Sequence, residues 1–163
     1  MAEAPTVAEW TFLVQAYAVC TAVLAVKYIF SCQISGDMSH HPPEDKKFLA
    51  DLPVPSLRVK RQFQNDLENI PMTLVVLWGA FIMQNLSNAS GHGKQGTFLL
   101  TICVIAFTVV RLLFTACYLL AIQPVRTISY AISLLVTFVS IYLMVKAALV
   151  SDVSGFLAGV CKQ

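Results

Sequence analysis

The sequence is short of charge. Asp, Glu, Lys and Arg make up 12% of it, about half of the ~25% that soluble domains carry. With 57% of its residues hydrophobic, it is neither a water-soluble globular domain nor a disordered chain. Its net charge of +2 is scattered along the chain. No basic stripe stands out, which excludes a nucleic-acid interface. Five cysteines fall at Cys20, Cys32, Cys103, Cys117 and Cys161. None forms a CxxC pair or a Cys/His ligand spacing, so neither a metal site nor a redox motif is expected. Cys20, Cys103 and Cys117 lie in apolar runs and read as buried, inert thiols. There is no internal repeat and no low-complexity tract. The N-terminus lacks a basic segment and a small-residue cleavage site, so the first apolar run is expected to be a retained span.

What the sequence does have is four apolar runs, at 10–30, 70–86, 97–122 and 127–150. At 1.5 Å per residue they reach about 25–39 Å, which suits a hydrocarbon core of about 30 Å. Lipid cannot satisfy exposed backbone polar groups, so each run must be helical. The expected fold is an all-α membrane protein, one four-transmembrane-helix bundle over 1–163. The second run is short. Its helix is expected to begin near Ser56, after the breakers Leu52-Pro53-Val54-Pro55, and to project about three turns beyond the membrane. The segment 31–55 is the sizeable irregular loop.

Orientation follows from the basic residues between spans. The first connection carries Lys46, Lys47, Arg58, Lys60 and Arg61, the second only Lys94, and the third Arg126. The first and third connections are therefore expected in the cytosol and both termini in the lumen. Two sequons, Asn85-Leu86-Ser87 and Asn88-Ala89-Ser90, fall at the lumenal turn. That turn hugs the membrane, and they are expected to be mostly unmodified.

Charge inside a span costs about 2.5–3.5 kcal/mol at its centre, so each instance needs a reason. Lys27 and Lys146 lie near span ends and can snorkel to the interface. Arg111 lies mid-run. It calls either for an acid on another helix, with Glu68 the nearest candidate, or for a ligand. Arg58, Arg61, Asn65 and Glu68 recur at spacings of three and four, on one helical stripe. Such a stripe is usually solvated. Here it runs into an apolar segment at Pro71, where a polar stripe must face protein or ligand. After Pro124, Arg126 and Tyr130 stand at i and i+4 on one face. Arg111, Phe114 and Tyr118 share a face of the preceding helix. Alone, an interfacial arginine reads as a topology anchor; the convergence of two arginines, two tyrosines and a glutamate points toward a site.

The run Arg61-Gln62-Phe63-Gln64-Asn65-Asp66-Leu67-Glu68-Asn69-Ile70-Pro71 resembles the signature of the membrane-associated proteins in eicosanoid and glutathione metabolism, the MAPEG family. It is nearest to the subgroup of microsomal glutathione transferase of the first type and microsomal prostaglandin E synthase. Pro43-Glu44-Asp45, and Arg111 with Tyr118 followed by Pro124-Val125-Arg126-Thr127-Ile128-Ser129-Tyr130, resemble the same subgroup in order and spacing.

The resemblance implies a homotrimer that binds glutathione as co-substrate between subunits near the cytosolic face. It implies a multi-pass protein of the endoplasmic reticulum membrane, with the mitochondrial outer membrane as a second location. It assigns Arg126 as the catalytic, thiolate-stabilising residue. Lys60, Arg61, Gln64, Asn65, Glu68, Arg111, Tyr118, Thr127 and Tyr130 join Arg126 as glutathione-binding residues. Asp45 is a proton-transfer or structural acid. The sequence departs from the subgroup at Phe63, Gln64, Phe114 and Thr127, which weakens the prostaglandin isomerase reading more than the transferase one.

The chemistry suits these residues. Glutathione offers two carboxylates, an ammonium and a thiol. An arginine such as Arg61 can hold a carboxylate bidentately, and Glu68 can accept the ammonium. The thiol, near pKa 8.5 when unperturbed, must ionise to attack, and Arg126 beside it would favour that. The expected activity is glutathione transfer to lipophilic electrophiles, with peroxidase action on lipid hydroperoxides. The alternatives are a glutathione-dependent prostaglandin H to E isomerase and a non-catalytic lipid-binding scaffold. No nucleic-acid partner is expected.

Overall fold

The protein is described from a computed structural model, over residues 7–35, 56–89 and 94–150. Four helices cover almost all of them: α1 (Val7–Ser35), α2 (Ser56–Ala89), α3 (Lys94–Leu119) and α4 (Gln123–Val150). Each is long and apolar enough to cross a membrane. Among the described residues there is no strand. Helix α2 begins at Ser56, just after the Pro-rich breaker, and its 34 residues extend about 51 Å. That exceeds the hydrocarbon thickness by some four turns.

Several boundaries differ from the apolar runs. Helix α1 continues through Ser35, so residues 31–35 are helical and not part of the expected loop, because a polar helix end can leave the membrane and stay hydrogen-bonded. Helix α2 continues through Ala89, so Asn85 and Asn88 are helical and not in a turn. Asn85 Nδ2 donates to the Phe81 carbonyl at 2.8 Å. Helix α3 stops at Leu119, and α4 already starts at Gln123. Pro124 has no amide to bond and a φ suited to a first turn, so it initiates the helix ahead of the apolar run. Between them Ala121 takes φ 62°. The Ile122 amide donates to the Cys117 carbonyl at 2.9 Å, and the Ala121 amide to the Tyr118 carbonyl at 3.3 Å. This is a left-handed helix cap without its usual glycine.

Helices α1, α2 and α3 share an apolar core that includes Leu13, Tyr17, Leu24, Leu77, Val104 and Phe107. The Tyr17 hydroxyl donates to the Leu77 carbonyl at 3.3 Å. Helix α4 packs on α2 and α3 through small hydroxylated residues. Ser129, Ser133, Thr137 and Ser140 are all buried. Thr137 meets Thr73 of α2 at 3.0 Å, and Ser133 and Ser140 donate to carbonyls of their own helix. Lipid gives no hydrophobic drive between helices, so small residues that permit close approach supply the contact. Gly79 is one: a Cβ there would lie 2.9 Å from Met144 Sδ. The outward faces are apolar, with Phe12, Val75, Phe98, Phe138 and Leu149 exposed, as lipid contact requires.

Candidate functional site

The polar residues of α2 divide by helical phase. Residues 59, 62, 66, 70, 73, 77 and 80 recur at three and four and are all buried. Extended back from Ile70, Leu77 and Ala80, the apolar face therefore reaches Asp66 and Gln62. Glu68 lies two residues from Asp66, about 200° around the helix, and is exposed.

Asp66 gathers three helices onto one carboxylate. Its Oδ1 accepts from Arg111 Nη2 of α3 at 2.5 Å. Its Oδ2 accepts from Lys27 Nζ of α1 and from Gln62 Nε2. Asp66 and Arg111 are both 0% exposed. Gln62 also donates to Thr115 Oγ1 at 3.2 Å. Arg111 makes further bonds to Asn65, with Nη1 at 3.2 Å from Oδ1 and Nη2 at 3.3 Å from the carbonyl oxygen. Two expectations are corrected here. Lys27 does not snorkel, because a closer anion faces it inside the bundle. Arg111 pairs with Asp66 and not with Glu68, because only Asp66 has the inward phase.

A second set lies at the α3–α4 junction. The Arg111 guanidinium carbon is 4.8 Å from the centre of the Phe114 ring. Phe114 packs against Tyr118 at 5.6 Å and against Tyr130 at 6.4 Å between ring centres. The Arg126 guanidinium carbon lies 4.9 Å from the Tyr118 ring centre, within cation–π range. Arg126 Nη2 also donates to Gln123 Oε1 at 2.8 Å. Thr127 is exposed, its hydroxyl donating to the Gln123 carbonyl at 3.3 Å.

A third set is the outward stripe of α2. Lys60, Arg61, Gln64 and Glu68 are exposed. Gln64 Nε2 donates to Glu68 Oε1 at 3.1 Å. Arg58, the first member of the stripe, is half-buried and donates from Nη1 to the Leu119 carbonyl at 3.2 Å, closing the end of α3. Asn65 joins the sets: it is half-buried beside the stripe and accepts from Arg111, which lies against Phe114. Asp45 lies outside the described residues. Among the described residues, no cluster of His, Cys, Asp or Glu could hold a metal ion.

A family model described as the MAPEG family matches residues 7–146. The chain belongs to the MAPEG family. The match includes all the residues of the three sets, together with Asp45. MAPEG membership and the four spanning-length helices make this a multi-pass membrane protein of a family of glutathione-dependent transferases, isomerases and non-catalytic relatives. Among curated proteins, none matches the chain.

Residue types alone do not reveal Asp66, Gln62 and Gln123 as parts of the assembly, nor that Lys27 faces Asp66. For Asp66 and Gln62 the signal was present in the sequence: they continue the buried phase of α2. Phe114 shares the face of Arg111 and Tyr118 by spacing, while Gln123 carries no such signal, since a glutamine there reads as ordinary capping.

Proposed function

We propose that this MAPEG protein is a membrane glutathione transferase acting on lipophilic electrophiles, with peroxidase action on lipid hydroperoxides. The observation that carries the reading is Arg126. Its guanidinium rests on Tyr118 and Gln123 in the first turn of α4, where the helix dipole also favours an anion. A fixed cation at a helix start is what a thiolate needs.

In this reading Arg61 binds a glutathione carboxylate and Glu68 accepts the ammonium. Asn65 orients the peptide, and Lys60 and Gln64 flank it. Arg126 stabilises the sulfur anion, with Tyr118, Thr127 and Tyr130 as neighbouring hydroxyls and Arg111 holding Asn65. The thiolate attacks an electrophilic carbon; the C–S bond forms as the leaving group departs with its electron pair. With a hydroperoxide it attacks the outer oxygen. An alkoxide leaves and is protonated, and a second glutathione reduces the resulting sulfenic acid to disulfide and water. The apolar co-substrate reaches the site laterally from the bilayer.

The stripe Arg61, Gln64 and Glu68 would face lipid tails on an isolated subunit where α2 enters the membrane. That cost supports a homotrimer with glutathione between subunits. The positive connections support a cytosolic site, and the family resemblance supports the endoplasmic reticulum membrane.

The test is purified protein in detergent with glutathione, a generic aryl halide, an organic hydroperoxide and a prostaglandin endoperoxide. Conjugation of the halide, with a thiolate absorbance band on glutathione binding, is the expected result. Isomerisation of the endoperoxide without conjugation would replace the transferase by the isomerase. Binding of lipid with no thiolate and no turnover would leave a scaffold.

A further inference from the structure

Phe114 is 3% exposed and sits where the buried ion pair meets the surface of the site. Leu112 and Leu113 beside it point outward and are exposed. Its ring touches three groups. The Arg111 guanidinium lies against it, and that guanidinium is fixed in turn by Asp66 and Asn65. Tyr118, four residues on along α3, packs against it at 5.6 Å. Tyr130 packs against it from α4 at 6.4 Å.

Arg126 rests on one of these tyrosines and neighbours the other. Its guanidinium lies on Tyr118, and it shares a helical face with Tyr130 at i and i+4. A free arginine side chain has many rotamers to lose when it is fixed. A cation that stabilises developing charge acts best when it is already in place. Phe114 braces the ring beneath Arg126 and the helix face from which Arg126 springs. Behind it stands a guanidinium that three hydrogen-bonded groups immobilise.

We propose that Phe114 is a positioning residue for Arg126, transmitting the rigidity of the Asp66–Arg111 pair through Tyr118 to the guanidinium that faces the glutathione sulfur. The proposal rests on the glutathione transferase reading. Phe114 acts by keeping Arg126 and Tyr118 in register, so its loss is expected to fall on turnover and thiol ionisation and much less on binding.

The experiment compares wild type with Phe114→Leu, Phe114→Tyr and Phe107→Leu in detergent, reading kcat, glutathione KM and the pH midpoint of the bound-thiolate band. Phe107 is buried two turns away in the core and controls for a lost buried ring. Phe114→Leu should lower kcat on the order of tenfold to a hundredfold, as misplaced reacting groups do. Its KM should change by less than about threefold, and its thiolate midpoint should move upward. Phe114→Tyr keeps the ring and should keep the wild-type midpoint. Phe107→Leu should lower thermal stability and leave the midpoint unmoved. If Phe114→Leu does not fold, Phe114→Met carries the same expectation, because an unbranched thioether fills the space without a flat face. A midpoint and kcat in the leucine or methionine variant equal to those of Phe107→Leu would overturn the proposal and leave the transferase reading intact. A wild type that forms no thiolate and turns over no electrophile would overturn the reading itself, and the proposal with it.

Discussion

Arg111 Nη2 and Asp66 Oδ1 meet at 2.5 Å inside the bundle, with both side chains fully buried. The pair joins the middle of α3 to α2, and Lys27 adds α1 to the same carboxylate. An arginine in a span is tolerable when its counter-ion is desolvated with it and hydrogen bonds complete the arrangement. The four-helix bundle and the candidate site above it therefore share one support.

Asp66→Ala is expected to destabilise the protein by about 3–5 kcal/mol, the cost of leaving buried cations unpaired. Glu68→Ala, on the exposed stripe, should change stability by less than about 1 kcal/mol. Equilibrium unfolding in detergent compares the two. Equal small effects would mean that the buried carboxylate is not what holds α1 and α3 to α2.

Glu68→Gln should preserve the fold and weaken glutathione binding. Hydrogen bonds to a charged group contribute about 1.5–3 kcal/mol, or about 10- to 100-fold in affinity. Calorimetry on folded oligomer measures it. Wild-type affinity would remove Glu68 as the ammonium acceptor.

Arg126→Ala should reduce turnover by about 10²–10³ while changing glutathione affinity far less, because the interaction is made chiefly with the ionised sulfur. The pH dependence has a definite sign. A cation beside the thiol holds its pKa below the ordinary value near 8.5. Removing that cation moves the thiolate midpoint up, so activity near neutral pH falls and is partly regained in alkali. Arg126→Lys should recover only part, since a point charge replaces a planar fork. A folded alanine variant with wild-type absorbance and turnover would make Arg126 a topology anchor.

Ala121 has φ 62° in the turn that sets α4, and Arg126 with it, against α3. Non-glycine residues there carry a steric cost of about 1–2 kcal/mol. Ala121→Gly should therefore stabilise the protein by about 1 kcal/mol. Ala116→Gly, within α3, should destabilise it by about the same amount. Thermal shifts of opposite sign in detergent are the expected result; shifts of the same sign would show that the cap is unstrained.

The oligomer is checked by native mass spectrometry in mild detergent, where a trimer is expected. Monomers alone under conditions that preserve the fold would remove the intersubunit site, and Arg61 and Glu68 would need another explanation.

Much of this protein is determined locally. Four apolar runs of spanning length, in a medium that cannot hydrogen-bond a backbone, leave four helices as the outcome. Pro53 and Pro55 explain why α2 starts at Ser56, and the Asn65-Asp66-Leu67-Glu68 signature already resembles the family whose model matches 7–146. Pro124 suits the first turn of α4, whereas the apolar run by itself points to a later start for the span. The phase of α2 was legible too, since Ile70, Leu77 and Ala80 point back to Asp66.

Which partner each polar residue meets was not legible. Lys27 and Asp66 are 39 residues apart, and Arg111 and Asp66 are 45 apart. Whether they touch depends on the rotation and height of three helices relative to one another. Sequence spacing within one helix says which residues share a face, but nothing about what stands opposite. The tertiary structure alone decided that Lys27 turns inward, that Arg111 meets Asp66 and not Glu68, and that Phe114 lies between Arg111 and the tyrosines. In each case the helix packing selected one partner among several that the residue types allowed.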